Sequence, residues 1–550
     1  MDGETGETGG SGRTSGAVSS SAPRTHGWRK AARLIGHRFR TTRAVCLAPA
    51  PGVARLAALA ALAALGAAGG GCARHGAAEA DRPLELLVSS DAETLDPRYA
   101  SDSVGLRVTR LVHAGLVRLD PDSLEPRPYA AEGWTWRDPL TLEVTLRAGL
   151  RFHSGAPFGA DDVVATLRAF GSKKVASRHA RVVDAIEGAR AESDRVVVIH
   201  LARPHATLLT DLELPILRRD EAEAPPAPDG SLDGLGPFRI ASAARGALEL
   251  TPAEGGALAR PAHAVTIRTV HDENARALRL EGGRADVAVN LVSPTLLPAL
   301  ASEPGLAIAS RPASNLTYIV VDEEHGALGD PRVRQALSLA IDRAMLCRTL
   351  FAGRAQPAAG LVAPAHWAHT EAPPLPFDPR AARALFAEAG APHLHVTLLT
   401  STERLRGDVA RVIAQGLADL GVTADVVPLE LGTMLARLDG GDFDLAILQL
   451  PEMTEPNVLR HFLHSAFIPP SGGNRGRVRD ATLDALLDQG DAVADPLARR
   501  AIYARVEARE RQQVHWIPLW VEDQVAVTSV RARAFVPSAE GRWLGLASLP

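Results

Sequence analysis

The sequence predicts an α/β protein built from two or three lobes, and two observations lead to this prediction. The chain has 550 residues, more than the about 100–200 residues of a typical domain. From residue 84 onward, short apolar strands alternate with amphipathic helices, an order typical of the α/β class. The sequence has no period of 20–50 residues, which excludes a repeat architecture.

Hydrophobic periods place the individual elements. The predicted ranges are strands at 84–88, 140–146, 196–201 and 443–448, and helices at 330–351, 380–389 and 408–420. Asp330 and Pro331 are suited to be the N-cap and first residue of their helix. We expect Arg332, Arg334 and Arg343 on the exposed side of that helix, beside acidic residues.

Composition excludes several classes of function. The formal net charge is −4, so no excess of basic residues favours binding to nucleic acid. Cys46, Cys72 and Cys347 show no CxxC and no metal-ligand spacing, which excludes a disulfide framework. The sequence also lacks GxGxxG, a Walker motif and HExxH, so we expect neither an enzyme nor a cofactor.

The first 71 residues are predicted to be an N-terminal extension followed by a signal peptide. Arg55 precedes an apolar run at residues 56–65 that is too short to span a bilayer and is typical of a secretory signal. Three glycines then precede Cys72, a pattern similar to a bacterial lipobox, although Gly69 stands where leucine is usual. The resemblance implies that Cys72 is acylated and that residues 72–83 tether the protein to a membrane.

The remaining chain carries a series of motifs that extends from residue 84 to about 545. These motifs are TLDP at 94–97, GLVRLD at 115–120, AAEGW at 130–134, LRAGLRFHSGAPFGADDV at 146–163, GLGPF at 234–238, EGGRADV at 281–287, DPRVRQAL at 330–337 and AIDR at 340–343. In order and spacing they resemble the family 5 extracellular solute-binding proteins, the oligopeptide-, dipeptide- and nickel-binding group. Residues 146–163 are the most specific match.

The resemblance implies a two-lobed fold of the large periplasmic-binding-protein type, with a ligand cleft between the lobes. The first lobe is expected at residues 84–264, with an extra subdomain at about 116–199 and a first crossing near residues 265–270. The second lobe is expected at residues 265–510. Residues 511–550 are expected to return to the first lobe and complete it.

The resemblance also implies a function and a location. A monomeric binding protein would capture a peptide-like ligand and deliver it to the permease and ATPase of an ABC transporter. Its lipid anchor would hold it outside the cytoplasm, on a membrane facing the periplasm or the cell exterior. A ligand-sensing protein that partners with a receptor is an alternative with the same kind of pocket.

Ligand contacts are expected where peptide-binding relatives hold the two ends of a peptide. In such relatives an acid on the loop after a second-lobe strand pairs with the ligand's ammonium group, and Glu452 holds this position here. Dipeptide-binding relatives hold the ligand carboxylate with an arginine just before the preceding helix. Arg404 and Arg406 are the nearest counterparts.

Aromatic residues give three further candidates for the pocket lining. Trp516 and Trp520 alternate with Ile517 and Leu519, so both tryptophans are expected on one face of a strand. That face belongs either to the core or to the ligand pocket. Trp367 lies on a predicted second-lobe loop, with the same two alternatives.

Paired histidines motivate an alternative within the same fold, a binding protein for a nickel chelate or haem. His461 and His464 lie three residues apart, and His366 and His369 repeat the spacing. Two histidines at this spacing on a helix can share a ligand. Surface histidines without a metal explain the same pattern.

Overall fold

The computed structural model describes residues 82–256 and 260–550. The predicted acylation site Cys72, the signal peptide and nearly all of the tether lie outside the described residues. The strands, in chain order, are β1 (Leu84–Val88), β2 (Val117–Leu119), β3 (Pro126–Pro128), β4 (Ala131–Asp138), β5 (Thr141–Leu146), β6 (Ile186–Ser193), β7 (Val196–Leu201), β8 (Phe238–Ala244), β9 (Ala247–Pro252), β10 (Val265–Thr269), β11 (Val287–Val289), β12 (Leu306–Pro312), β13 (Leu316–Val321), β14 (Ala355–Pro357), β15 (His395–Ser401), β16 (Thr423–Leu429), β17 (Leu445–Leu450) and β18 (Trp516–Ser529).

Helices connect most of these strands. In chain order they are α1 (Ser103–Val112), α2 (Ala160–Gly171), α3 (Leu208–Asp211), α4 (Glu273–Glu281), α5 (Leu297–Ala301), α6 (Pro331–Leu339), α7 (Arg343–Leu350), α8 (Pro379–Glu388), α9 (Arg404–Ala418), α10 (Leu431–Gly440), α11 (Val458–Leu463), α12 (Ala481–Ala492) and α13 (Pro496–Gln513). Across residues 82–256 and 260–550, no helix combines the length and apolar character needed to cross a membrane.

One long mixed sheet forms the frame of the molecule, and β18 joins its two halves. The first half contains β1 and β8 to β12, and β11 and β12 pair with the C-terminal part of β18. The second half contains β13 to β17, and β13 and β14 pair with the N-terminal part of β18. These two sets of strands are called the first half and the second half below.

The chain first passes between the halves at residues 313–315. Pro312 is the last residue of β12 and pairs with Asp523, whereas β13 begins at Leu316 in the second half. The side chain of Asn315 bridges this gap, because it accepts from the backbone N–H of Glu522 at 2.8 Å and donates to its carbonyl at 3.1 Å.

The first crossing was predicted near residues 265–270, and this placement is wrong. Strand β10 pairs along its whole length with β1 in parallel, and most of it also pairs with β9 in antiparallel. It therefore lies inside the first half. An apolar strand inside one lobe and an apolar strand that crosses between two lobes have the same hydrophobic pattern, so the sequence does not distinguish them.

Each half of the sheet has apolar cores on both faces, as period-2 alternation requires. Leu86 packs in one first-half core and Leu87 in the other. In the second half, Ile319 packs on one face and Tyr318 on the opposite face. A separate four-stranded sheet in the order β4-β5-β7-β6, with α2, packs around its own core. This sheet lies in the range of the predicted extra subdomain.

The predicted helix at residues 330–351 is two helices. Asp330 and Pro331 begin α6 as predicted, and the Asp330 carboxylate accepts from the backbone N–H of Arg332. Helix α6 ends at Leu339. A new helix, α7, begins at Arg343, because the Asp342 carboxylate accepts from the backbone N–H of Met345 at 2.8 Å and caps it.

Two arginines predicted on the exposed side of this segment are buried. Arg334 and Arg343 are 1% and 2% exposed. Arg343 donates to the carbonyls of Pro518 and Ser338 at 2.7 and 2.9 Å, and Arg334 donates to four backbone carbonyls. These guanidinium groups bind the main chain where helices and β18 meet. Only Arg332, paired with Asp330 at 2.6 Å, lies on the surface as predicted.

Candidate ligand-binding site

A cavity with a volume of about 1230 Å³ lies between the two halves of the sheet. The first half contributes residues from α1, α4 and the segment 290–297, and the second half contributes the end of α7, the start of α9 and the end of β17. Charged residues are frequent in the lining. They are Arg107, Arg110, Glu273, Arg276, Arg354, Glu403, Arg404, Asp408, Glu452, Glu522, Asp523, Glu540 and Arg542.

Glu452 lines this cavity from the second half. Strands β15 and β17 are parallel neighbours, so the loops after them begin at the same edge of the sheet. The loop after β17 is fixed beyond Glu452, because the N–H of Met453 donates to the carbonyl of Ser314 at 2.7 Å. The Glu452 side chain is 36% exposed, and its Oε1 lies 3.4 Å from Nη2 of Arg542. Burial raises the pKa of its carboxyl group, while attraction to Arg110 and Arg107 lowers it.

The two arginines near the start of α9 have different environments. Glu403 caps this helix by accepting from the backbone N–H groups of Leu405 and Arg406. Arg404 is exposed and lines the cavity. Arg406 is largely covered and donates to Glu522 at 2.7 Å and to Thr317 Oγ1 at 3.1 Å. Its charge is therefore paired within the protein, whereas the charge of Arg404 faces the cavity.

Glu522 at the centre of β18 was not predicted as a site residue. Its Oε1 accepts from Arg406, from Gln449 Nε2 at 3.1 Å and from Trp520 Nε1 at 3.2 Å. It lies beside the first crossing of the chain and lines the cavity. The sequence signal for Glu522 is an acidic residue that directly follows an apolar run, within a strand whose residues are mostly buried.

The two tryptophans of β18 were predicted on one face, and this is wrong. Trp516 packs on one core and stacks on Tyr318, with ring centroids 3.7 Å apart. Trp520 packs in the core on the opposite face. The register of β13 against β18 shifts at Thr317 and Tyr318, and such a bulge inverts the alternation beyond it. Both tryptophans are buried in core, and neither lines the cavity between the halves.

Trp367 lies away from the cavity. The guanidinium group of Arg499 lies 5.1 Å from the centre of its ring, and its backbone N–H donates to the carbonyl of Ser123 at 2.9 Å. This contact joins the second half to the loop between β2 and β3. Trp367 is thus placed to hold two parts of the protein together.

The paired histidines bind neighbouring protein groups. His461 packs against Phe462 and Phe467, and His464 lies 3.4 Å from Asp488. His366 and His369 bond to the backbone oxygens of Thr454 and Val362. No group of three or more His, Cys, Asp or Glu side chains suited to a metal ion occurs in the part of the chain that the structure describes.

The first half contributes a set of arginines that the sequence did not reveal as site residues. Arg107 and Arg110 lie three residues apart on α1, so they project from the same face of the helix, and both line the cavity. Arg542, from the segment after β18, forms an ion pair with Glu213 in addition to its contact with Glu452. The sequence signal that could have identified them is the pair Arg107 and Arg110 on a helix whose apolar residues Val104, Val108 and Leu111 are buried.

A smaller cavity of about 290 Å³ adjoins the first. Arg110, Glu540 and Arg542 line both cavities. Burial raises the pKa of the Glu540 carboxyl group to about 7, although its Oε1 lies 3.6 Å from Arg542. Glu540 is therefore partly protonated at neutral pH.

A cavity between two halves of one sheet, with charged groups directed into it from both sides, defines a two-lobed ligand-binding protein. Domain interfaces are a preferred location for such sites. The chain belongs to the bacterial extracellular solute-binding proteins, family 5, because the model of this family's middle region matches residues 125–466, more than half of the chain.

Curated relatives and solved structures agree with this assignment. The chain is 27% identical over 475 residues to the glutathione-binding protein GsiB of Salmonella typhimurium, covering 83% of this chain and 92% of the relative. It is also 27% identical to the probable di/tripeptide-binding protein 5 of Pseudomonas aeruginosa, covering 78% and 88%. The ABC transporter substrate-binding protein CtaP of Listeria monocytogenes matches in fold, with a TM-score of 0.75, 22% identity and coverage of 84% and 98%. The predicted two-lobed α/β fold is thereby confirmed.

Proposed function

We propose that this protein captures a peptide-like ligand between its two lobes and delivers it to the permease of an ABC importer. The observation that supports this most directly is the cavity of about 1230 Å³, whose lining contains both acidic and basic side chains. The volume exceeds the roughly 300–1,000 Å³ of a typical small-molecule pocket, and so it has room for a ligand of several residues.

The two ends of a peptide would be held by two residues of the second half. Glu452 binds the ligand's ammonium group, and Arg404 binds its carboxylate. Each group needs a partner of opposite charge once the closing lobes remove it from water. Both side chains line the cavity, and Arg404 has no ion pair among the described residues. Arg406 supports the site indirectly, because it fixes Glu522 at the cavity wall.

The named ligands of the relatives support this class of ligand. Glutathione and di- or tripeptides are short peptides with charged groups at their ends, and the relatives are named for binding them. In this proposal the protein binds and releases its ligand without changing it chemically. Acylation at Cys72 would hold the protein outside the cytoplasm, beside the transporter that receives the ligand.

Native mass spectrometry of the purified protein, followed by calorimetry, tests the proposal. We expect a co-purified mass that fragments as a short peptide, and one-to-one binding when that peptide is added back. A metal chelate or haem as the bound mass would favour the metal-importing alternative. Failure of a panel of di- to tetrapeptides to bind the folded, ligand-free protein would contradict the proposal.

A further inference from the structure

A second set of contacts joins the two sides of the cleft outside the cavity, and Glu455 lies at its centre. Its Oε2 accepts from Nη2 of Arg499 at 2.8 Å, and Arg499 belongs to α13, which packs on the second half. Its Oε1 accepts from the hydroxyl group of Thr210 on α3. All three residues are buried, and none of them is among the described residues that line the cavity of about 1230 Å³.

Thr210 belongs to the first-half side of the cleft. Helix α3 packs in the core of the four-stranded sheet. Just beyond α3, the side chain of Glu213 lies 3.5 Å from that of Arg110 on α1, so this segment is held against the first half. The backbone of Ala206, before α3, also takes part, because its carbonyl accepts from Nη1 of Arg499 at 3.4 Å. The hydrogen bonds of Glu455 and Arg499 to α3 and its flank therefore cross from the second half to the first.

The loop after β17 carries both Glu455 and Glu452, the residue proposed to bind the ligand's ammonium group. Between them, the backbone N–H of Met453 makes a backbone hydrogen bond, and the carbonyl of Thr454 bonds to Nε2 of His366 at 3.2 Å. The loop is thus fixed at three successive residues, from Met453 to Glu455. Glu452 directly precedes this fixed stretch, so the position of Glu455 determines how Glu452 is presented to the cavity.

We infer that Glu455 is a positioning residue that couples ligand binding at Glu452 to closure of the lobes. Arg499 holds its carboxylate within the second half, and the hydroxyl group of Thr210 reaches that carboxylate when the lobes come together. A hydrogen bond to a buried charged group favours the closed form, so it slows release of the ligand without contacting the ligand. The inference rests on the proposed function and adds to it a residue that acts through Glu452.

Substitution of Thr210 tests the inference, with glutathione, trialanine and tetraalanine as the probes. Thr210→Val removes the hydroxyl group and keeps the shape of the side chain. We expect affinity to fall about tenfold, almost entirely through faster release, with the association rate within twofold, because the ligand enters before the contact forms. The free energy of unfolding of the ligand-free variant should equal that of the native protein, because the contact is absent while the lobes are apart. Surface plasmon resonance and chemical denaturation measure these quantities.

Two further variants separate the hydroxyl group from its surroundings. Thr210→Ser keeps the hydroxyl group, so its affinity should lie within threefold of the native value. Thr207→Val is the matched control, because Thr207 is also buried and its hydroxyl group donates to Asp211 at 2.7 Å within the same segment. Its affinity should stay within twofold of the native value.

Each other outcome overturns a defined part of the account. Affinity of Thr210→Val within twofold of the native protein would overturn the inference and leave peptide binding intact. An equal loss of affinity in Thr207→Val, or a less stable ligand-free Thr210→Val protein with an unchanged release rate, would show a purely structural role and overturn the inference as well. No binding of any of the three probes to the folded native protein would contradict both the proposed function and the inference.

Discussion

Arg542 and Glu452 meet across the cavity, with Nη2 and Oε1 3.4 Å apart. Arg542 follows β18 and precedes Trp543, which packs in a core of the first half, whereas Glu452 follows β17 in the second half. The contact thus joins the two halves directly. It is long for an ion pair, and the Glu452 side chain remains 36% exposed.

Ligand binding should compact the protein. A solvent-accessible ion pair contributes under about 1 kcal/mol, so the Arg542–Glu452 contact alone is too weak to keep the halves closed. A ligand that fills the cavity adds contacts to both walls and favours the closed form by hinge closure at the crossings. Small-angle scattering should show a smaller radius of gyration with a saturating ligand. An unchanged radius with binding confirmed by calorimetry would contradict hinge closure.

The stability of the protein should depend on the ionisation of Glu540. Burial raises the pKa of this carboxyl group from 4.5 in the unfolded chain to about 7 in the folded protein. Between these values the folded protein keeps a proton that the unfolded chain releases, so stability falls as the pH rises from about 4.5 to 7. Glu540→Gln should remove this fall, which amounts to up to roughly 3 kcal/mol. Chemical denaturation of both proteins at pH 5, 6, 7 and 8 measures it, and parallel curves would contradict the assignment.

Arg343 should be essential for stability rather than for binding. It is 2% exposed and donates to the carbonyls of Pro518, Ser338 and Ile341. Arg343→Met removes the hydrogen bonds that a buried charged group makes to these carbonyls, and a hydrogen bond to a charged group contributes about 1.5–3 kcal/mol, so the free energy of unfolding should fall by on the order of 3 kcal/mol. Arg332→Met is the control, because Arg332 is exposed and should change stability by less than about 0.5 kcal/mol. Equal effects of the two substitutions would show that Arg343 has no such role.

Membrane attachment should depend on Cys72. Two or more acyl chains at this residue would give stable anchoring, so Cys72→Ala should move the protein from the membrane fraction to the soluble fraction. Fractionation with labelled fatty acid measures both the attachment and its cause. Membrane association that is unchanged in the variant would contradict the lipoprotein assignment.

Local sequence signals predicted the elements of the fold well. Strands β1 and β7 cover the predicted ranges, and Asp330 and Pro331 begin a helix as expected. Two errors came from side chains that bind the backbone. Asp342 begins a second helix within an apolar stripe that continues across the break. Arg334 and Arg343 are long enough to bury their charge against carbonyls of other segments, which no local pattern reveals.

The candidate site was predictable only in part, for a physical reason. Glu452 and Arg404 follow strands of one sheet half, so the resemblance located both on the cavity wall. The bulge opposite Thr317 inverted the alternation of Trp516 and Trp520, and an extra residue in a strand leaves no mark in the apolar pattern. Arg107 and Arg542 reach the site from opposite ends of the described chain, and only the folded sheet brings them to Glu452.

The central claim is that a charged peptide end binds Glu452 between the closed lobes. Calorimetry of the native protein and Glu452→Gln, each with a bound peptide and with its N-acetylated form, tests this claim most directly. Removing one partner of a buried charge pair costs about 2–5 kcal/mol, which is roughly thirty- to several-thousand-fold in affinity. We predict a loss of this size from either change alone and little further loss when the two are combined. Binding of the unmodified peptide to Glu452→Gln within threefold of the native protein would contradict the account.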